Sequence, residues 1–123
     1  YDVVVAENMF GDIISDLAAG TIGGLGMAPS ADVNEEHGVF QPSHGTAPDI
    51  AGQNIVNPIA QILSASMMLT WLGSQHNDAD ATQAAKSIDD AVARILASKS
   101  AHTGDLGGKA KTTDVGDAVA SEI

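Results

Sequence analysis

Apolar and polar positions alternate along this chain with several different periods. Val3-Val4-Val5-Ala6 is a continuous apolar, β-branched run, the pattern of a strand buried on both faces, so Asp2 to Ala6 reads as a parallel strand. Gly11 permits a close turn after it. A helix is expected from Asp12 to about Ile22, with Ile13, Ile14, Leu17 and Ala18 on or near its buried face. Gly20, Gly23, Gly24 and Gly26 then interrupt the pattern, as a close packing contact, an interdomain hinge or a plain helix-to-loop transition. Met27 to Glu36 reads as a polar loop, and Val39-Phe40 as a short strand ending at Pro42. Two glycines and a proline between Ser43 and Gly52 argue against a helix or a central strand there.

The second half reads as helical. Asn57-Pro58 is a helix start, with Asn as N-cap and Pro at the first helical position. The helix that follows, Ile59 to Leu72, has apolar residues on more than one face and is expected to be buried, with Gly73 as its C-cap. Asp78 or Asp80 starts another helix, in which Ala84, Ile88, Val92, Ile95 and Leu96 recur at helical spacing and Lys86 pairs with Asp90. A polar loop from Ser98 to Thr113 leads to a last short helix, Asp114 to about Ser121. There is no internal repeat.

Length and charge sharpen this picture. The chain has 123 residues, enough for one modest domain. It opens inside an apparent strand, with no initiator Met and no signal sequence, and is therefore expected to be the C-terminal piece of a larger protein; a complete small domain is the alternative. Sixteen acidic against five basic residues give a formal charge of -11. Such a surface repels a phosphate backbone and anionic lipid, so neither nucleic acid nor a membrane is an expected partner. No apolar run approaches transmembrane length. Cysteine is absent, which excludes disulfides and thiolate ligands and fits a cytoplasmic location.

The candidate chemistry lies in two segments. Asp12 and Asp16 are four residues apart, on one face of the expected helix, just beyond the end of the expected strand. They are either solvated acids favoured by the helix dipole or two hard oxygen ligands for Mg²⁺ or Mn²⁺, with water, substrate or another part of the protein completing the shell. His44 sits in a Gly- and Pro-containing loop, as a structural histidine or a ligand contact. Gly45, Thr46 and Ala47 can offer backbone donors at close approach. Asp49 can accept from two ribose hydroxyls or form a turn around Pro48. Asn57 is an N-cap with or without a base contact. No glycine spacing matches a GxGxxG or Walker loop, Lys109 and Lys111 read as solvated, and no Ser-His-acid arrangement is defensible.

Together these segments resemble the isocitrate and 3-isopropylmalate dehydrogenase family of metal-dependent, β-decarboxylating dehydrogenases. The resemblance is carried by Asn8-Met9-Phe10-Gly11-Asp12-Ile13-Ile14-Ser15-Asp16, by His44-Gly45-Thr46-Ala47-Pro48-Asp49-Ile50-Ala51-Gly52 with Asn57-Pro58, by Ile62-Leu63-Ser64-Ala65-Ser66-Met67-Met68-Leu69, and by Asp105-Leu106-Gly107-Gly108. It covers nearly the whole chain.

The resemblance implies an α/β fold: the C-terminal portion of a two-domain subunit, with residues 1–22 ending the smaller central domain and residues 23–123 belonging to the large coenzyme-binding domain. It implies Asp12 and Asp16 as metal ligands, and His44, Gly45, Thr46, Ala47, Asp49, Ile50 and Asn57 along NAD. Asp49-Ile50 stands where NADP-preferring bacterial isocitrate enzymes carry Lys-Tyr, so NAD is the expected coenzyme. Gln41 stands where the family usually has Glu near the nicotinamide; it keeps hydrogen-bonding capacity and loses the charge. The catalytic Tyr and Lys, the substrate-binding arginines and a further metal aspartate belong to the family's upstream portion, part of it reaching the site from the other subunit of a homodimer. The implied activity is NAD-dependent oxidative decarboxylation of a 2-hydroxy acid bearing a β-carboxylate. The expected substrate is 3-isopropylmalate, with isocitrate, homoisocitrate, D-malate or tartrate as alternatives. A non-catalytic regulatory subunit and an acidic, non-enzymatic interaction module are the competing readings.

Overall fold

A computed structural model describes residues 1–123. In chain order it contains α1 (Asn8–Thr21), β1 (Pro29–Val33), β2 (Gly38–Pro42), α2 (Ile59–His76), α3 (Ala79–Ser98) and α4 (Thr112–Glu122). Single 3-10 turns lie at Leu25–Met27, Pro48–Ile50 and Gly104–Leu106.

The core forms where α2, α3 and α4 meet. Ile59, Ala91, Val92, Ile95, Val115 and Val119 are buried together with Met27 and Ala101. Ile59 is 1% exposed, and burying such a side chain contributes about 2 kcal/mol. Small residues let α2 and α3 approach closely: Ser66 Oγ donates across to Ala85 O at 3.1 Å, and a Cβ at Gly73 would overlap Thr82 Oγ1. Gly73 is thus an interior packing position and not the expected C-cap. Asn77, in the left-handed conformation, ends α2 four residues beyond Gly73, and Asp78 N–H donates back to Gly73 O at 2.9 Å. Asp78 caps α3 as expected, its Oδ1 accepting from Asp80 N–H and Ala81 N–H at 2.9 and 3.0 Å. Lys86 and Asp90 form the expected ion pair at 2.7 Å.

The sheet is a two-stranded antiparallel hairpin. β2 ends at Pro42 as expected, but β1 occupies part of the segment read as a polar loop. Its register, Pro29 opposite Pro42 and Ala31 opposite Phe40, is closed by Asn34, whose Oδ1 accepts from Glu36 N–H and His37 N–H at 2.8 Å each. Phe40 packs toward Trp71 of α2, ring centroids 6.0 Å apart. Pairing and that packing make a strand of a segment with little apolar character of its own.

The N-terminal region departs furthest from expectation. Asp2 to Ala6 forms no strand: no second strand lies beside it, and Val3, Val4 and Val5 are exposed. α1 begins at Asn8, four residues earlier than Asp12, so Gly11 is helical and its N–H donates to Glu7 O. The face expected to be buried is open: Ile13, Ile14 and Leu17 are exposed, and only Ala19 of α1 is buried. No helix is long and apolar enough to cross a membrane.

Candidate functional site

A cavity of about 800 Å³ opens where four separate segments converge. The turn after α1 supplies Gly26. The loop after β2 supplies His44, Gly45, Ala47 and Ile50. The approach to α2 supplies Ile55, Val56 and Asn57. The loop before α4 supplies Gly104, Asp105, Gly108, Lys109 and Ala110.

Hydrogen bonds far apart in sequence hold these walls in place. Thr112 Oγ1 donates to Val56 O at 2.6 Å, Thr112 N–H to Asn54 O at 3.0 Å, and Thr113 N–H to Asn54 Oδ1 at 3.1 Å. They stitch the approach to α2 onto the start of α4. Gly107, in the left-handed conformation at φ 78°, turns the 103–108 loop, and Gly108 N–H donates to Thr103 O at 2.9 Å. A Cβ at Gly108 would overlap the His102 carbonyl, so only glycine fits that wall.

Asn57 and Asp105 meet at the back of the cavity. Asn57 is 5% exposed; its Oδ1 accepts from the N–H of Ile59, the first residue of α2, at 3.0 Å, while Pro58 and not Asn57 takes the N-cap position, and its Nδ2 donates to Asp105 Oδ2 at 2.9 Å. Thr103 Oγ1 donates to Asp105 Oδ1. Burial pushes the Asp105 carboxyl upward, but hydrogen bonds from Thr103, Asn57 and the backbone more than offset it, and the net pKa lies below the usual carboxylate range.

At the cavity's edge, His44 Nδ1 lies 2.8 Å from Gly45 O. With Nδ1 donating to that carbonyl, a neutral ring leaves Nε2 as an acceptor. Ala47 holds the left-handed conformation at φ 43°, a turn that costs an L-residue about 1 kcal/mol. Five of the eight residues expected along the coenzyme, His44, Gly45, Ala47, Ile50 and Asn57, line the cavity. Gln41, Thr46 and Asp49 do not line it and are exposed. Gln41 is paired in β2 opposite Ser30, and Asp49 lies in the 3-10 turn, its carbonyl accepting from Gln53 Nε2 at 2.8 Å. Reading the sequence did not single out Gly26, Ile55, Val56 or Gly104 as site residues. Asp105 and Gly108 belong to a family motif that assigns them no role in the sequence, and Lys109, expected to be solvated, lines the cavity. Their signal is tertiary, apart from Asp105-Leu106-Gly107-Gly108.

Asp12 and Asp16 lie on successive turns of α1, both exposed and in no ion pair. Their chemistry suits a hard divalent cation, but two carboxylates are a partial shell, and no group of three or more His, Cys, Asp or Glu residues is arranged to hold a metal. Neither residue lines the cavity.

The isocitrate/isopropylmalate dehydrogenase family model matches residues 1–119. The chain belongs to this family. It is 50% identical over 123 residues to 3-isopropylmalate/3-methylmalate dehydrogenase of Methanocaldococcus jannaschii, covering 100% of this chain and 34% of that protein. It is 48% identical over 123 residues to isocitrate/homoisocitrate dehydrogenase of Thermus thermophilus, covering 100% of this chain and 34% of that protein. The crystal structure of isocitrate dehydrogenase from Methylococcus capsulatus superimposes with a TM-score of 0.81 at 38% identity, over 94% of this chain and 32% of that one. The chain thus spans about a third of the length of the relatives it matches, and its fold is the corresponding portion of theirs.

Proposed function

We propose that this chain is the C-terminal, coenzyme-binding portion of a cytoplasmic NAD-dependent β-decarboxylating dehydrogenase acting on 3-isopropylmalate. The observation that carries this reading is the convergence of the 44–50 loop, Asn57 and the 104–110 loop on one cavity, in a chain of this family. A volume of about 800 Å³ lies within the range of ligand pockets. Ile50, Ile55 and Val56 offer apolar surface for a nucleobase, glycines allow close backbone approach, and Lys109 brings a cation for the coenzyme's anionic groups. These residues fit a dinucleotide.

When bound, the divalent ion supplies Lewis acidity toward the substrate's hydroxyl and carboxylate oxygens, and NAD supplies the hydride acceptor. Asp12 and Asp16 are the ion's ligands from this chain; a second copy of the full-length subunit completes the shell in a homodimer. The loop from His44 to Ile50 orients the adenosine half of the coenzyme. Asp49, with its carboxylate in no hydrogen bond or ion pair within the chain, suits two ribose hydroxyls and opposes a 2′-phosphate, which favours NAD over NADP. Gln41 provides a neutral hydrogen-bonding group toward the nicotinamide end. The proton-transferring Tyr and Lys come from residues outside this chain.

The test is NADH formation by the full-length enzyme with NAD and Mn²⁺ on 3-isopropylmalate, 3-methylmalate, isocitrate, homoisocitrate, D-malate and tartrate. The highest kcat/KM is expected on 3-isopropylmalate. Dominance of another acid replaces the substrate and keeps the reaction class. No turnover of any, by a folded protein, overturns the enzyme reading in favour of a regulatory subunit.

A further inference from the structure

Both ends of the Asn57 side chain are engaged within the protein. Oδ1 accepts from Ile59 N–H at the start of α2, and Nδ2 donates to Asp105 Oδ2 at 2.9 Å and lies 3.4 Å from Met27 Sδ. Its main-chain N–H and C=O, by contrast, take part in none of the chain's backbone hydrogen bonds, and the residue lines the cavity. A main-chain donor beside a main-chain acceptor complements adenine, whose N1 accepts and N6 donates. It opposes hypoxanthine, whose N1 donates and O6 accepts.

The Asn57 side chain is gripped at Nδ2 by Asp105, 48 residues away in sequence. Both of its carboxylate oxygens are used, one by Asn57 and the other by Thr103, which is 0% exposed. Gly26 leaves room for the pair: a Cβ there would sit 3.2 Å from Asp105 Oδ2 and 3.7 Å from Asn57 Nδ2. Three cavity walls are tied together at this point. We propose that Asp105 is a positioning residue for coenzyme specificity, fixing Asn57 through its Nδ2 so that the main-chain N–H and C=O of Asn57 read the base. The inference rests on the NAD reading above.

Full-length enzyme is assayed with NAD and with nicotinamide hypoxanthine dinucleotide. The wild type is expected to prefer NAD in kcat/KM by about tenfold, the size of one well-placed hydrogen bond. Asp105→Ala is expected to raise KM for NAD about fivefold, leave kcat within about twofold, and bring the two coenzymes to near parity. Asp105→Asn, which keeps an acceptor for Asn57, restores most of the preference. Asn57→Ser keeps a capping oxygen but cannot donate to Asp105, and is expected to reproduce the Asp105→Ala result; it carries the test if Asp105→Ala does not fold. An unchanged base preference in Asp105→Ala or Asn57→Ser, or a loss confined to kcat, overturns the inference and leaves the dehydrogenase reading standing. A wild type that turns over no acid with either coenzyme overturns the dehydrogenase reading itself.

Discussion

Asp105 shows how one residue's charge state is set by neighbours distant in sequence. Burial disfavours its carboxylate, yet the hydrogen bonds from Thr103, Asn57 and the backbone hold its pKa below the usual range. Because the folded pKa is depressed, its stabilising contribution is full above the unfolded pKa, near 4, and is lost as pH falls through the folded value. The urea midpoint of the wild type is therefore expected to fall more steeply than that of Asp105→Asn as pH drops below about 4. On α1, Asp12→Asn and Asp16→Asn in the full-length enzyme are each expected to lower Mn²⁺-supported kcat/KM by about 100-fold or more. Mn²⁺ titration followed by electron paramagnetic resonance should show weakened binding, and unaltered binding would remove both residues from the ligand set. At this scale the sequence was partly legible. Asn57-Pro58 announced the start of α2, because an Asn oxygen reaching a nearby N–H is local chemistry, although Pro58 and not Asn57 takes the N-cap position. The partner of its Nδ2 lies across a turn, two helices and a loop, and no local pattern encodes that contact.

Helix ends and helix spacing followed the sequence where the determinants are local. The cap of α3 by Asp78 and the position of α4 are both set by residues within one turn of where they act. Asp78→Ala is expected to cost about 1 kcal/mol, read as a lower urea midpoint with an unchanged slope. Gly73 breaks the local rule. Its glycine resembles a C-cap but makes room for Thr82 and the Asp78 carbonyl, with a Cβ 2.9 Å from that oxygen. Gly73→Ala gains helix propensity and is nonetheless expected to destabilise by about 2 kcal/mol, because α2 and α3 must separate. Thermal unfolding of that variant is the measurement; a raised Tm would show that the helices can shift cheaply. Strands were less legible than helices. β1 exists because β2 pairs with it, while Asp2 to Ala6, with a far stronger strand pattern, has no neighbour to pair with.

For the molecule as a whole, the exposed apolar surface is the outstanding feature. Met9, Phe10, Ile13, Ile14 and Leu17 leave one side of α1 open, in a chain that spans 34% of its Methanocaldococcus jannaschii relative. The purified 123-residue chain is accordingly expected to form no NADH from any of the acids above, since only two of the proposed metal ligands and neither proposed proton-transfer group lie within it. Turnover by that chain alone would show the site to be complete. The sequence by itself determined the start of α2, the N-cap of α3, the burial of Val92 and Ile95 on α3 (though not that Ala85 in place of Ala84 faces inward), the acidic surface and the order of the family's motifs. All of these act through residues close in the chain or through composition. Only the tertiary structure decided that the 44–50 loop, Asn57 and the 104–110 loop form one cavity, that Gly73 and Gly108 are packing positions, and that Asp105 grips Asn57. Those outcomes depend on hydrogen bonds and close contacts between segments tens of residues apart, which exist only once α2, α3 and α4 have packed together.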